Sequence, residues 1–185
     1  MIAGKKVILR TVNPEELDYL YRLITDINSK GEYWHLNIPP LNKFRDEYRE
    51  TGFWSQDEGR MLILSMDGEY VGEILYFKGL DYQSGYEVGY ELFDMKHAGK
   101  GYMTEALMLF CAYMFSVWPI NRLQVNVMSG NAASIRVAEK CGFTYEGTMR
   151  QATFHNGVYH DLKLYSILRD ECPSLDSLLA ETGES

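Results

Sequence analysis

The sequence is short of the residue patterns that build metal sites, disulfides and membrane spans. Its three cysteines show no C-x-x-C spacing and its four histidines are scattered, which indicates neither a zinc site nor a disulfide framework. No apolar run approaches the ~18 residues that a membrane-spanning helix needs. Residues 1–10 lack the apolar core and cleavage site of a signal peptide. These absences predict a cytoplasmic protein that binds no metal and no membrane.

Positive charge is also in short supply. Lysine and arginine number 18 against 26 acidic residues, which gives a net charge of −8. An acidic chain is a poor candidate for nucleic-acid binding, and it favours cationic partners such as amines. The 185 residues fit one domain, expected at 1–170, and a tail at 171–185 with room for a short helix. The oligomeric state stays open, and a dimer is compatible with the sequence.

The hydrophobic periodicities give the element order β-α-α-β-β-β-α-β-α-β-β. Asn13-Pro14 is typical of a helix start, and Asp67-Gly68 and Asn156-Gly157 are typical of hairpin turns. Because hairpins dominate and strand-helix-strand connections lie in the middle, the predicted class is α+β with a mixed, mostly antiparallel sheet. Strands are expected at 5–12, 61–66, 70–77, 85–93, 122–128, 143–154 and 158–168, and helices near 13–27, 41–51, 102–118, 131–141 and 175–179.

A glycine-rich stretch, HAGKGYMTEAL, stands directly before the helix expected from Tyr102 onwards. A helix start leaves about four N–H groups without intrahelical partners and carries a partial positive charge, so it can bind an anion. Gly99 and Gly101 would let a phosphate approach the backbone or allow positive φ angles, and Lys100 adds a cation. The stretch is neither a P-loop nor a dinucleotide fingerprint, since Thr104 replaces the last glycine. It predicts a phosphate or pyrophosphate site, with a plain tight turn as the alternative.

Four segments in order resemble the GNAT superfamily of N-acetyltransferases and its RimJ/RimL-like branch, which includes ribosomal-protein N-terminal acetyltransferases. They are GYEVGYELF, GKGYMTEAL, RLQVNVMSGNAAS and NAASIRVAEKCGFTYEGTMRQATFHNGVYHDLKLYSIL. The resemblance covers residues 60–168 well and the first 59 loosely. It implies a sheet of about seven strands flanked by helices on both faces. It also implies transfer of an acetyl group from acetyl-CoA, a co-substrate, to a primary amine of a peptide or protein N-terminus or of a small molecule.

The resemblance also implies where acetyl-CoA is held. The loop would bind the pyrophosphate mainly through backbone N–H groups, Asn131 would contact the pantetheine arm, and a backbone N–H near Leu92 would stabilise the oxyanion. Arg136 and Lys140 are candidates for the phosphates, with a solvated helix face as the alternative. The chain departs from the family pattern at two positions, Ala98 in place of Arg or Gln and Met103 at the end of the loop pattern. The implied cofactor-binding residues are Leu92, Gly99, Lys100, Gly101, Tyr102, Met103, Thr104, Asn131 and Arg136.

Three residues are catalytic candidates. Ser134 keeps the serine that the RimL-like branch uses to assist the leaving thiolate, whereas Ala138 replaces the tyrosine acid of many other members. Thr153 replaces the branch's glutamate base, so the base would be Glu87 or Glu91, acting through water, unless the acceptor nitrogen is already neutral. Both glutamates share one face of a strand expected to be covered on both sides, which would raise their pKa values. The alternatives are a solvated strand face for the glutamates and a serine bonded to its own helix.

Other side chains carry weaker hypotheses. Cys141 invites an acyl-enzyme intermediate, although a core position is favoured. His155 and His160 flank a hairpin turn and are expected to be exposed, where either could shuttle a proton. Arg150 and Asp161 are expected to pair, in a structural or substrate-orienting role. Residues 29–59 and 79–85 are expected on the substrate side. Their aromatic residues and a neighbour, namely Trp34, Phe44, Phe53, Trp54, Tyr76 and Tyr82, would complete the core or line a pocket.

Several functions remain open from the sequence. Within the enzyme class the rival acceptors are a polyamine, an aminoglycoside-like antibiotic and an amino-acid conjugate. Ala138 and Thr153 also leave room for a catalytically silent module that only binds acetyl-CoA.

Overall fold

The computed structural model describes residues 1–34, 38–79 and 85–180. Its centre is one eight-stranded sheet in the order β1-β2-β3-β4-β5-β6-β8-β7, in which only the β5–β6 pair is parallel. The strands are β1 Ile2–Ala3, β2 Val7–Arg10, β3 Glu58–Ser65, β4 Tyr70–Lys78, β5 Gly85–Leu92, β6 Arg122–Met128, β7 Thr144–His155 and β8 Val158–Leu168. The seven predicted strands are all present, and the two-residue β1 is the addition.

Five α-helices accompany the sheet in the described part of the chain. They are α1 Leu17–Thr25, α2 Leu41–Thr51, α3 Tyr102–Val117, α4 Ala132–Lys140 and α5 Leu175–Ala180. Three short 3-10 helices, Pro14–Glu16, Ile27–Ser29 and Met95–His97, lie between them. The first of these carries the predicted helix start at Asn13-Pro14, so the regular α1 begins only at Leu17.

The sheet separates two hydrophobic layers. Along β3, Met61 and Ile63 belong to one core cluster and Leu62 and Leu64 to the other, as alternation along a strand requires. The first cluster packs against α3, α4 and α5, and the second against α1 and α2. Helices therefore cover both faces, and the middle strands lie between two apolar layers.

Local turn chemistry explains the two hairpins. Gly68, at the β3–β4 turn, has a φ of +83°, and Asn156 and Gly157, at the β7–β8 turn, have φ angles of +49° and +82°. These left-handed angles suit glycine and asparagine and match the twist of paired strands. Both hairpins were predicted from these dipeptides.

The described residues contain neither a candidate membrane-spanning helix nor a cluster of metal-ligating side chains. No helix among residues 1–34, 38–79 and 85–180 is long and apolar enough to cross a membrane. Within the same ranges, no group of three or more metal-ligating side chains is close enough to hold a metal ion.

Candidate active site

The sheet opens between the neighbouring strands β5 and β6. The parallel ladder between β5 and β6 covers three residue pairs and ends at Glu87 and Gln124. Further along the chain, β5 stays paired with β4 as far as Leu92, and β6 stays paired with β8 as far as Met128. The two halves of the sheet therefore diverge after Glu87, and we call the resulting wedge the β5–β6 gap.

Backbone N–H groups of β5 face this gap. Phe93 donates its N–H to the carbonyl oxygen of Val71 in β4 at 3.0 Å. Because successive N–H groups of a strand point to opposite sides, the N–H of Leu92 points away from β4 and toward the gap. A donor at this position has the orientation that the expected oxyanion contact requires.

The glycine loop has the backbone that the sequence indicates. Gly99 and Gly101 adopt φ angles of +74° and +83°, where a Cβ is disfavoured. Gly101 is the N-cap of α3, and the first intrahelical bond runs from the N–H of Glu105 to the Gly101 carbonyl. The N–H groups of the first turn are thus left for another acceptor. Nothing lies within 4 Å of the position of a Cβ on Gly99, so the loop is open to a phosphate.

The side chains around the loop differ in what they can offer. Lys100 is exposed and Tyr102 is half-buried, whereas Met103, in the first turn of α3, is buried in the core. The carbonyl of Thr104 accepts a bond from the Cys141 thiol at 3.2 Å. Because Met103 and Thr104 precede Glu105, the first residue whose N–H is bonded within α3, they can contribute backbone N–H groups to an anion, as the resemblance implies.

Ser134 is held between α4 and the central strand. The side-chain oxygen of Asn131 caps α4 by accepting the N–H of Ser134 at 3.0 Å, so the predicted cap is present. The Ser134 hydroxyl lies 2.8 Å from the hydroxyl of Tyr90, which also donates to the Ser134 carbonyl at 3.2 Å. The serine is therefore fixed by a β5 tyrosine. Burial raises the pKa of Tyr90, which keeps the phenol protonated.

Glu87 lies on the opposite face of β5 from Tyr90, where the gap begins. Its carboxylate accepts a bond from the Asn126 amide at 2.7 Å and a weaker one from the Gln124 amide at 3.5 Å. Burial raises the pKa of Glu87, and the two neutral amides only partly oppose that effect. The solvated strand face considered for this residue does not apply.

Glu91 shares this face and has charged neighbours. It lies opposite Glu73 of β4 in the strand register, and its carboxylate is 3.5 Å from the Lys30 ammonium. Burial and the Glu73 carboxylate raise the pKa of Glu91 to about 7, while Lys30 opposes them. Trp34 Nε1 makes no full hydrogen bond within the described residues, yet it lies close enough to favour the charged carboxylate. Glu91 is therefore engaged by a resident cation.

The aromatic residues expected on the substrate side lie mostly in the core, on both faces of the sheet. Phe44, Phe53 and Tyr76 are buried, and the Lys30 ammonium lies over the Trp34 ring at 4.2 Å. Trp54 packs edge-on against Tyr76. Tyr82 and most of the 79–85 loop lie outside the described residues.

The structure bears on three of the weaker hypotheses, those for His155, Cys141 and the Arg150–Asp161 pair. The expectation that His155 is exposed is wrong, because its ring is 7% exposed and its Nε2 lies 2.6 Å from the Glu32 carbonyl oxygen. Cys141 is a core residue whose pKa is raised to about 12 by burial, which disfavours a nucleophilic thiolate. Asp161 accepts the N–H of Gln151 at 2.8 Å. It makes no ion pair with Arg150 within the described ranges.

Three residues that contact the candidate site were not predicted from the sequence. Tyr90 contacts Ser134, Asn126 contacts Glu87, and the ammonium of Lys6 donates to the Lys100 carbonyl at 3.1 Å. The first two lie on the strands that border the gap, and alternation along β5 and β6 could have flagged them. No local signal points to Lys6. Arg136 and Lys140 are exposed on α4, and His160 is half-buried with its Nε2 3.3 Å from the His155 carbonyl oxygen.

Comparisons with known proteins agree with this geometry. The family model described as an acetyltransferase (GNAT) domain matches residues 6–144. The ribosomal-protein-serine acetyltransferase of Escherichia coli is 26% identical over 170 residues, covering 88% of this chain and 92% of that protein. The spermidine N(1)-acetyltransferase of Vibrio cholerae is 29% identical over 170 residues, covering 91% and 96%.

A solved structure supports the fold. RimL, a ribosomal alpha-N-protein acetyltransferase in complex with coenzyme A, superposes with a TM-score of 0.75 at 23% identity, over 89% of this chain and 95% of that one. The open loop at Gly99 and the β5–β6 gap fit acetyl-CoA as the co-substrate. The chain belongs to the GNAT family and is an acetyl-CoA-dependent N-acetyltransferase.

Proposed function

We propose that acetyl transfer takes place in the β5–β6 gap and that the acceptor is a cationic primary amine. The observation that carries this proposal is the arrangement of side chains on the two faces of β5. Ser134 and Tyr90 are in contact on one face, and Glu87 is half-buried on the other. A thioester in the gap would have a hydroxyl donor on its sulfur side and a proton acceptor on its amine side.

On the sulfur side, Ser134 donates a hydrogen bond to the departing thiolate. The amine nitrogen adds to the thioester carbon of acetyl-CoA, the carbonyl oxygen takes up the negative charge, and the carbon–sulfur bond then breaks to release the thiolate. When Tyr90 donates its single hydroxyl hydrogen to the Ser134 Oγ at 2.8 Å rather than to the Ser134 carbonyl at 3.2 Å, the Ser134 hydroxyl hydrogen is left for the thiolate. This arrangement offers a source for the donor that Ala138 cannot supply. The N–H of Leu92 stabilises the oxyanion, and Asn131, whose side-chain oxygen is used by the cap, retains its amide N–H groups for the pantetheine arm.

On the amine side, Glu87 accepts the proton that the amine loses, directly or through water. A general base works best when its pKa is near the operating pH, and burial moves the pKa of Glu87 upward. Glu91 is the weaker candidate because Lys30 already engages its carboxylate. The net charge of −8 favours a cationic acceptor, whereas Glu73 and Glu91 are already paired with Arg60 and Lys30.

The acceptor that suits this base best is an α-amine. A peptide N-terminus has a reference pKa of ~8, against ~10.4 for a lysine-like amine, so a carboxylate deprotonates it at a smaller energetic cost. The family includes relatives named for ribosomal proteins and for spermidine, so both kinds of acceptor belong in the test. We therefore rank a peptide or protein N-terminus first and a polyamine second.

An acceptor panel tests the proposal. Purified protein is incubated with acetyl-CoA and one of four acceptors: a peptide with a free N-terminus, the same peptide N-acetylated, spermidine, or an aminoglycoside. Released thiol and product mass are recorded. We expect acetylation of the free peptide and none of the blocked one. Gly101→Glu is the control, because a negative side chain beside the N–H groups of the loop should abolish coenzyme A binding and all transfer. Since Gly101 has a φ of +83°, circular dichroism checks that the variant is folded.

The outcomes separate the alternatives. Acetylation of spermidine alone would move the acceptor assignment to polyamines and retain the gap as the site of transfer. Transfer by Gly101→Glu at the wild-type rate would contradict the loop assignment. Coenzyme A binding without transfer to any acceptor would contradict the proposed amine side.

A further inference from the structure

A lysine from the N-terminal hairpin lies over the glycine loop. Lys6 precedes β2, and its Nζ donates to the carbonyl oxygen of Lys100 at 3.1 Å. The same Nζ is 3.0 Å from the position where a Cβ on Gly101 would stand. The ammonium of Lys6 therefore lies at the N-terminal end of α3, although Lys6 is 94 positions from Lys100 in the chain.

Glu105, in the first turn of α3, fixes this hairpin. Its carboxylate accepts the N–H groups of Lys5 and Lys6 at 2.7 Å each and that of Val7 at 3.0 Å. Both carboxylate oxygens are thus engaged by backbone donors. A carboxylate near a helix N-terminus is also favoured by the helix dipole. The clamp fixes the backbone of Lys6 relative to the loop and leaves its side chain free to take other acceptors.

The Lys6 ammonium places a positive charge near the loop, where the sequence departs from the family pattern at Ala98. Residue 98 is Ala, which carries no charge, and Lys100 is exposed. The loop backbone can offer N–H groups, but a diphosphate carries more negative charge than neutral donors balance, and a nearby ammonium forms stronger, charge-assisted bonds with it. Lys6 is the cation that the described structure brings against the loop from outside it.

We propose that Lys6 binds the diphosphate of acetyl-CoA and supplies the cation that residue 98 lacks. When the co-substrate binds, the Lys6 ammonium donates a hydrogen bond to a phosphate oxygen, either in place of its bond to the Lys100 carbonyl or in addition to it. The Glu105 carboxylate meanwhile holds the hairpin backbone in place. The proposal concerns the co-substrate and is independent of the acceptor and of the base.

Direct binding measurements on the free protein test this role. Calorimetric titrations with coenzyme A and with 3′-dephospho-coenzyme A are compared for wild type, Lys6→Met and Lys6→Arg. We expect Lys6→Met to weaken both ligands by the same factor, about tenfold, since one charge-assisted contact is lost. Lys6→Arg should keep most of the affinity, and the melting temperature of the unliganded protein should change little. Lys6→Gln takes the place of Lys6→Met if that variant fails to fold.

Lys5→Met is the matched control, because it removes one positive charge from the same hairpin. Equal losses in Lys5→Met and Lys6→Met would mean a general charge effect and would overturn the proposal. A loss with coenzyme A but not with the dephospho form would assign Lys6 to the 3′-phosphate and overturn the diphosphate contact. Wild-type affinity together with a lower melting temperature would leave Lys6 only a cap for the Lys100 carbonyl, and would also overturn it.

Discussion

Two groups of glutamates in this protein have opposite electrostatics. Glu16 and Glu146 each face an arginine in two-pronged contact, Glu16 with Arg10 and Glu146 with Arg122. The guanidinium bonds hold the pKa of each carboxyl down at about 2. Glu87 and Glu91 on β5 meet amides and a lysine instead, and burial raises their pKa values.

The difference shows how a fold separates structural carboxylates from reactive ones. A bidentate guanidinium fixes the charged form and stabilises the native state, so the carboxylate cannot readily take up a proton at neutral pH. A carboxylate held by neutral amides in a partly buried place keeps its orientation and remains able to accept one. The first group ties the chain together at β2 and at the β6–β8–β7 edge, and the second borders the gap.

The strongest way to break this comparison is Glu87→Gln. The amide keeps the shape and can still accept the Asn126 bond, but it cannot take a proton. Because a general base contributes ~10²–10⁴-fold, we expect kcat/KM to fall by about 100-fold or more. Affinity for coenzyme A, measured by calorimetry, should stay at the wild-type value.

Glu91→Gln is the matched variant on the same face. A smaller loss than in Glu87→Gln would agree with the assignment, since Lys30 already engages Glu91. If Glu91→Gln costs more than Glu87→Gln and removes the dependence of the rate on pH near 7, Glu91 is the base and the assignment of Glu87 fails.

Ser134 and Tyr90, on the other face of β5, allow a test that leaves both glutamates unchanged. Ser134→Ala removes the hydroxyl without touching a carboxylate, and we expect kcat to fall by about tenfold, the cost of one hydrogen bond to a charged group. Coenzyme A affinity should change little. Tyr90→Phe should lower kcat in the same direction by less, because Tyr90 only orients Ser134. Unchanged turnover in Ser134→Ala would remove this serine from the mechanism.

The fold could be predicted from the sequence wherever local chemistry decides it. Asp67-Gly68 and Asn156-Gly157 fix hairpin turns, and Asn131 caps α4, because each acts on backbone atoms a few residues away. Ile2–Ala3 was missed because two residues are too few to show a period of two. The expected exposure of His155 was wrong because its partner, the Glu32 carbonyl, is 123 residues away in the chain.

In the candidate site, too, the features set by a short segment could be predicted and the contacts between distant residues could not. The glycine loop with its positive φ angles and the covered position of Glu87 were predicted, since each is written in a short segment. The Tyr90–Ser134 and Lys6–Lys100 contacts join residues 44 and 94 apart, and spacing carries no information on such pairs. The catalytic roles of Ser134, Glu87 and Glu91 stay predictions, which the variants above test.

The smallest expected effect concerns the structural group, through Glu16→Gln. The folded-state pKa of Glu16 is lowered from 4.5 to about 2, so its contribution to stability is present above pH 4.5 and is lost as the pH falls toward 2. We expect the variant to lose about 1 kcal/mol of unfolding free energy at pH 7, less than the full pKa shift implies because the pair is partly solvated. Urea unfolding measures this value.

The pH dependence of that loss distinguishes the two groups of glutamates. The difference between wild type and Glu16→Gln should shrink as the pH is lowered from 5 to 3, since the wild-type carboxylate loses its advantage over the unfolded chain in that range. Glu87→Gln should show no such loss at pH 7, because a carboxyl with a raised pKa destabilises the folded state when it ionises. Equal losses of unfolding free energy in the two variants at pH 7 would mean that the folded state stabilises the charged form of Glu87 as it does that of Glu16. Glu87 could then not serve as the proton acceptor of the gap.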